Sequence, residues 1–217
     1  MPERLSATSR RTMLRAVAAA VSAWPHPLLA RHQAPDAGRD RWQRVPDLLA
    51  AMRMRDGAHV ADVGAGGGFI TRRLAAQAGP TGRVYAVEIE PRVVARLRQR
   101  LQDDGLANVE VVLGSSTDPG LPPDSLDAII VVDAYHKFTE PAAMLEAFRR
   151  ALRRDARLVI CDSVSSLPTR EEQVKWHGIA PRFVAAELEA AGFRVLSVDE
   201  AFTTRGSTRK ALIVAER

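Results

Sequence analysis

The chain has 217 residues, 46% of them hydrophobic, with a formal net charge of +5. That length suits one domain of doubly wound size with some excess, and the hydrophobic fraction is ordinary for a globular protein. Cys161 is the single cysteine, which excludes a disulfide framework and a thiolate metal cluster. It lies in the apolar run Leu158-Val159-Ile160-Cys161 and reads as buried strand filler. The charge is uneven: residues 1–40 hold six arginines and three acids, whereas the rest is nearly balanced. No basic run with interleaved aromatics appears in the body, so the basic isoelectric point does not imply a nucleic-acid partner.

The first 39 residues read as an N-terminal extension, and a folded domain is expected over 40–217. Ser9-Arg10-Arg11-Thr12-Met13-Leu14-Arg15 resembles the twin-arginine export motif. A short alanine-rich apolar segment follows, Ala16 to Ala23, with small residues at Val21-Ser22-Ala23. Charged region, apolar region and small-residue site are the parts of a signal peptide. The apolar segment is too short to span a membrane, so the signal is an address and not an anchor. Export to the periplasm or medium is therefore the expectation. The alternative is a basic N-terminal helix on a cytoplasmic protein, and N-terminal sequencing of fractionated cells decides between them.

Trp42, Val45, Leu48, Leu49 and Met52 recur at helical spacing and predict one helix, with Pro46 in its first turns. Trp42 reads as a packing residue. A strand over His59–Val63 then enters a turn with four glycines in five positions, Gly64, Gly66, Gly67 and Gly68. A helical pattern leaves it with Ile70, Leu74 and Ala78 on one face. Strand, glycine turn and helix allow close backbone approach to a ligand, and the helix start offers free N–H groups. The spacing excludes the dinucleotide fingerprint, because Phe69 stands where the third glycine belongs. What fits is D-x-G-x-G-x-G, with Asp62, Gly64, Gly66 and Gly68.

This resembles the first motif of the class I S-adenosylmethionine-dependent methyltransferases. The next strand, Val84 to Val87, ends at Glu88, where the family has an acid for both ribose hydroxyls. The resemblance implies S-adenosyl-L-methionine as cofactor. It implies a Rossmann-like, doubly wound α/β sheet of seven strands, the last antiparallel, with helices on both faces. The cofactor-side residues it suggests begin with Asp62, Gly64, Ala65, Gly66 and Gly68. They continue with Glu88, Ile89, Ser115, Ser116 and Asp133. At Ser115-Ser116, after a strand over Val109–Leu113, the family often has an acid for the adenine amino group, so adenine contact there falls to a hydroxyl or backbone.

The remaining elements alternate as an α/β fold requires. A helix runs from Pro91 through Leu101 to Asp104-Gly105. Asp124 to Val132 is read as the fourth strand, its apolar run suiting a strand covered on both faces. It leads into Asp133-Ala134-Tyr135-His136-Lys137-Phe138, which resembles the D-x-Y-H-x-F segment of a bacterial methyltransferase group. Ligands sit at strand carboxyl ends in such sheets, so Tyr135, His136 and Phe138 are expected to face cofactor or acceptor. A helix over Pro141–Leu152 and a strand over Leu158–Asp162 follow. The turn glycines usual between them are replaced by Arg154-Asp155-Ala156-Arg157.

The polar segment from Thr169 carries Trp176 and His177. It reads either as a lid over the acceptor or as a loop anchored by the packing of Trp176. A helix over Val184–Leu188 and a hairpin of Val195–Asp199 with Lys210–Val214 close the chain. His136 and His177 are the general-base candidates, since imidazole titrates near neutrality. Asp133 with His136 supplies too few ligands for a metal, so none is expected. The expected partner is a small-molecule acceptor, with no nucleic acid and no stable membrane anchor. Two rival readings are a non-catalytic or secreted protein that kept the fold, and a nicotinamide-dependent oxidoreductase, which Phe69 opposes.

Overall fold

The computed structural model describes residues 37–217. The expected export signal and most of the expected extension lie outside the described residues. The first two helices are α1 (Ala37–Trp42) and α2 (Val45–Ala51). The predicted single helix is thus broken at Gln43-Arg44, with Arg44 in the left-handed region at φ 50°. Pro46 is the cause. It has no N–H to give the Trp42 carbonyl one turn earlier, and that carbonyl instead accepts from the Thr203 hydroxyl. The break therefore docks the N-terminal helices onto the far edge of the sheet. Arg44 adds a hydrogen bond of 2.8 Å to the Phe202 carbonyl. Trp42 is half-buried there, with the Arg205 and Lys210 cations 5.1 and 4.8 Å from its ring.

The central elements follow in strict alternation: β1 (His59–Val63), α3 (Phe69–Ala78), β2 (Arg83–Glu88), α4 (Pro91–Asp103) and β3 (Val109–Leu113). Then come β4 (Leu126–Val132), α5 (Pro141–Ala151), β5 (Leu152–Ser163), α6 (Arg170–Lys175) and α7 (Pro181–Ala190). The hairpin β6 (Arg194–Arg205) and β7 (Thr208–Glu216) ends the chain. The seven strands lie in the order β3-β2-β1-β4-β5-β7-β6. β1 to β5 pair in parallel, and β7 is antiparallel to both neighbours. This is the expected doubly wound sheet with its last strand reversed.

Side-chain alternation divides the strands between two cores. Ile129 and Val131 of β4 join Leu158 and Ile160 of β5 under α5 and α7, where Leu145, Phe148, Val184 and Leu188 are buried. Ile130 and Val132 join Val159 and Cys161 under α2 and α3, with Leu48, Ile70 and Leu74. Both faces of these strands are covered, which is why they read as continuous apolar runs. Cys161 is a free, buried thiol that burial pushes up to about 12, consistent with a packing role.

Three boundaries differ from the pattern-based expectation. β5 starts at Leu152, directly after α5, instead of Leu158. Its register against β4 jumps between Leu126 and Ala128, and Asp155 takes φ 61°. A bulge in the strand thus turns the corner where the family's glycines are missing. β6 and β7 are much longer than predicted, because irregularities between Val195/Ser197 and Asp199/Thr203 let the hairpin run on. Within the segment after β5 lies α6, started by a reciprocal cap between Thr169 and Glu172. The T-x-x-E signature was readable there, but the run after it was too polar to show helical periodicity.

Candidate functional site

β1 pairs with β2 on one side and β4 on the other, so the chain leaves the sheet centre in both directions. The crevice at the carboxyl ends of β1 and β4 is the switch point where ligands bind in such folds. Gly64 stands at its base with φ 79°. A Cβ placed there would lie 2.4 Å from the Ala134 Cβ, so glycine alone lets the two strand ends meet. The Gly64 and Ala65 amides donate to the Val87 carbonyl at 2.9 and 3.0 Å, folding the turn toward β2. At Gly66 a Cβ would meet only the Gly64 carbonyl, at 4.0 Å, leaving open space over the turn.

Glu88, at the end of β2, faces this turn. One carboxylate oxygen accepts from the Gly66 amide at 3.1 Å and the other from the Ile89 amide at 2.8 Å. A cleft of about 250 Å³ opens here. Of the residues anticipated on the cofactor side, Gly64, Gly66, Glu88, Ile89, Ser115, Ser116 and Asp133 line it. Lys137, Phe138, Thr139 and Met144 form another wall. Ser115 spends its hydroxyl on a local turn, accepting from the Asp118 amide at 3.0 Å. Asp133 has φ 56° and takes a hydrogen bond of 3.3 Å from Gln43. It also forms an ion pair with Lys210, itself buried on β7. Sequence reading missed Gln43 and Lys210 because both are remote in the chain.

Three residues anticipated at the cofactor sit elsewhere. Gly68 precedes α3 with φ 77°, where a Cβ would press on Leu97 at 2.8 Å, so it serves helix packing. Ala65 packs with Ala86, Leu97 and Leu101 beneath the turn. Asp62 is 2% exposed and accepts from the Thr71 hydroxyl at 2.6 Å, tying β1 to α3. Its side chain alternates away from the cleft, as period two requires.

Burial raises the Asp62 carboxyl to about 6, aided by the Glu88 charge and opposed by the Thr71 hydrogen bonds. Folding therefore takes up a proton on Asp62 between its ordinary 3.8 and about 6. The folded state binds more protons than the unfolded one in that window, so stability falls as pH rises through it. The loss through this group is about 3 kcal/mol at most by pH 7. In Asp62→Asn, which keeps an oxygen for Thr71, this part of the pH slope should vanish. Chemical denaturation of both proteins from pH 4 to 7 measures it, and parallel curves would show that Asp62 does not titrate in this range.

The segment after β4 is a single 3-10 turn, Tyr135–Lys137, that sends its side chains in different directions. Phe138 lines the cleft and packs on the rings of Tyr135 and Phe148 at 5.1 and 6.1 Å. Tyr135, expected to face a ligand, is wholly buried and donates to Glu187 of α7 at 2.7 Å. Burial and the Glu187 charge push its hydroxyl far up, so it stays protonated. Glu187 also binds Arg170 at 2.6 Å, and Arg170 reaches the Phe138 carbonyl at 3.2 Å. These bonds clip α6 and α7 to the turn.

His136 does not line the cleft but is 4% exposed beside it, turned toward β5. His177 stands T-shaped to it, ring centroids 5.8 Å apart, on the exposed stretch after α6. Trp176 is 78% exposed, so it does not anchor the segment by packing. Among the described residues no group of three His, Cys, Asp or Glu side chains is placed to hold a metal.

Residues 54–190, more than half of the chain, match the model of the methyltransferase domain family. The chain belongs to this family. A solved S-adenosylmethionine-dependent methyltransferase from Aquifex aeolicus is 26% identical and covers 87% of this chain and 97% of its own, with a TM-score of 0.71. A nocamycin O-methyltransferase of Saccharothrix syringae is 29% identical over 143 residues, 66% of this chain and 49% of that protein. A ubiquinone/menaquinone biosynthesis C-methyltransferase of Ectopseudomonas mendocina is 29% identical over 122 residues, 56% of this chain and 47% of that one. The chain spans about half the length of the curated relatives it matches.

The cofactor of this methyltransferase family is S-adenosyl-L-methionine, and the cleft fits it. The open space over Gly66 admits a ligand against the backbone. Glu88 presents a carboxylate at the cleft wall with each oxygen already oriented by an amide. Apolar walls from Val63, Val87 and Phe138 suit the uncharged parts of such a molecule.

Proposed function

We propose that this protein transfers a methyl group from S-adenosyl-L-methionine to a small-molecule acceptor. The observation that carries the reading is the meeting of the glycine turn, the Glu88 carboxylate and the Asp133–Phe138 segment around one cleft at the switch point. Its apolar walls with a few polar groups are those of a small-molecule site. Two of the relatives above are named for small-molecule chemistry, one an O-methyltransferase and one a C-methyltransferase. Among the described residues no helix is long and apolar enough to cross a membrane.

In this reading Glu88 accepts from the ribose hydroxyls and the Gly64–Gly66 backbone lets the cofactor lie close. Asp133 supplies the negative charge at the opposite end, tempered by Lys210. When bound, the cofactor supplies an already activated methyl group on a sulfonium. The protein's task is then position and exclusion of water. The D-x-Y-H-x-F segment supports placement in the bacterial group that shares it. The working unit is residues 40–217, with 1–39 as an export extension.

Thermal shift and calorimetry with S-adenosylhomocysteine and with NAD test the cofactor, and transfer of labelled methyl to a panel of small acceptors tests the reaction. Stabilisation by S-adenosylhomocysteine alone is expected. Stabilisation by NAD instead, or binding of neither, would overturn the reading.

A further inference from the structure

The amino end of the sheet carries a second hollow, larger than the cofactor cleft. A cavity of about 670 Å³ opens between the connection from α2 to β1 and the starts of β4 and β5. Five arginines line it: Arg53 and Arg55 from the connection, and Arg153, Arg154 and Arg157 from β5. Arg154 and Arg157 belong to the bulged corner where the family's turn glycines are absent. The cavity shares no residue with the cofactor cleft, and methyl transfer gives this cluster no task.

The carboxylates around the cavity do not balance these cations. Asp127 is taken by Arg153 and by the His59 amide, the latter at 2.8 Å. Glu216 is shared, 3.3 Å from Arg157 and also paired with Arg194. Asp56 turns its carboxylate to Gly79, where an added Cβ would strike it. The side chains of Arg53, Arg55, Arg154 and Asp155 make no hydrogen bond or ion pair among the described residues. Water satisfies such exposed groups, so an arginine-rich rim alone is an ordinary surface. Arg157 is different, because it is only 9% exposed. Burial pushes its guanidinium below the ordinary range, and the Arg53 charge adds to the push; Glu216 opposes it, and Arg194 works with Arg53. A guanidinium keeps its proton at any physiological pH, so titration cannot relieve this excess of positive charge. An anion in the cavity can. Arg53 and Asp155 also hold left-handed backbone, at φ 51° and 61°, a strain that clusters at functional sites.

We propose that this cavity is a second ligand site, which takes a small soluble anion carrying a di- or triphosphate group. The free guanidiniums come from two separate stretches, 53–55 and 154, so the ligand has to offer several anionic oxygens. Phosphate oxygens match the fork of an arginine in pairs. A single carboxylate would engage one arginine and leave the others facing each other. Two or three linked phosphates offset Arg53, Arg154 and the buried Arg157 together. The volume is that of a small-molecule site, and the free Asp155 carboxylate is there to accept from a hydroxyl or amino group on the rest of the ligand. None of this depends on the methyltransferase reading.

Isothermal titration calorimetry of the full chain with tripolyphosphate, and separately with inorganic phosphate, tests the site. Saturable binding of one tripolyphosphate per chain is expected, tighter than inorganic phosphate on the order of 10-fold or more. Arg53→Ala and Arg154→Ala should each weaken it on the order of 10-fold. Their thermal midpoints without ligand should stay near the parent's, because neither side chain has a partner to lose. Arg96→Ala removes an exposed arginine of α4 outside the cavity and should leave the affinity unchanged. Saturation with S-adenosylhomocysteine should leave it unchanged too. Absence of saturable binding overturns the proposal, and so does full affinity in both cavity variants. An equal loss in Arg96→Ala would reveal diffuse attraction to a basic surface, and competition with S-adenosylhomocysteine would place the anion in the cofactor cleft; either result overturns it. Co-sedimentation with vesicles of phosphatidylglycerol and phosphatidylcholine tests the other source of phosphate. Arginine-dependent binding to vesicles without binding of tripolyphosphate would make this face a membrane contact and overturn the soluble ligand.

Discussion

Gly64→Ala should destabilise the protein by about 2–5 kcal/mol and abolish cofactor binding. Two effects add. The new Cβ would stand 2.4 Å from the Ala134 Cβ, which belongs to a short side chain with no rotamer to escape into. The backbone at φ 79° is strained for any residue that has a Cβ. Relief requires the ends of β1 and β4 to separate, and that separation deforms the floor of the cleft. Denaturant unfolding measures the stability and calorimetry with S-adenosylhomocysteine measures the binding. The double variant Gly64→Ala, Ala134→Gly removes the overlap but keeps the dihedral strain, so it should recover part of the loss. A single variant as stable as the parent would show that the strand ends do not approach as described.

Glu88→Gln has the second large expected effect, on affinity more than on stability. The wild-type carboxylate lines the cleft and has two oxygens, each bound to one amide and each able to accept a further hydrogen bond. Glutamine keeps one acceptor and puts a donor where the other stood. That donor must face either the Gly66 amide or the Ile89 amide, and either encounter is repulsive. A charged hydrogen bond to a ribose hydroxyl is worth about 1.5–3 kcal/mol. The dissociation constant for S-adenosylhomocysteine should therefore rise on the order of 10- to 100-fold. An unchanged constant in a titration of the folded variant would remove Glu88 from the site. The variant also bears on Asp62, whose carboxyl the Glu88 charge helps to raise.

The polar contacts around Asp133 explain why the N-terminal helices matter to the cleft. Gln43 lies at the break between α1 and α2 and reaches Asp133 across the mouth of the sheet. Arg73 of α3 pairs with Asp40 of α1, one contact at 2.7 Å. The guanidinium groups of Arg39 and Arg73 both lie 3.8 Å from the Phe69 ring. The residue that ruled out a dinucleotide motif is thus the platform on which α1 is held.

What the order of residues determined is the local and periodic part. Alternating apolar runs and amphipathic helices specify a parallel α/β sheet because each period demands its own backbone. Glycines at 64, 66 and 68 with acids at 62 and 88 specify a cofactor turn, since spacing along one strand–turn–helix unit is local geometry. Only the tertiary structure decided which of those residues meet the cleft. Asp62 and Gly68 carry motif positions yet serve packing, because period two and the helix start turn them inward. Tyr135 and His136 are neighbours in the chain, but the 3-10 turn sends one to Glu187 and the other to Asp162. Gln43, Asp162 and Lys210 come from three distant elements, and no local pattern encodes a contact across 26 to 90 positions. The glycine turn was legible because its chemistry is backbone chemistry, whereas the partners of Asp133 and His136 exist only once the sheet has brought its strand ends together.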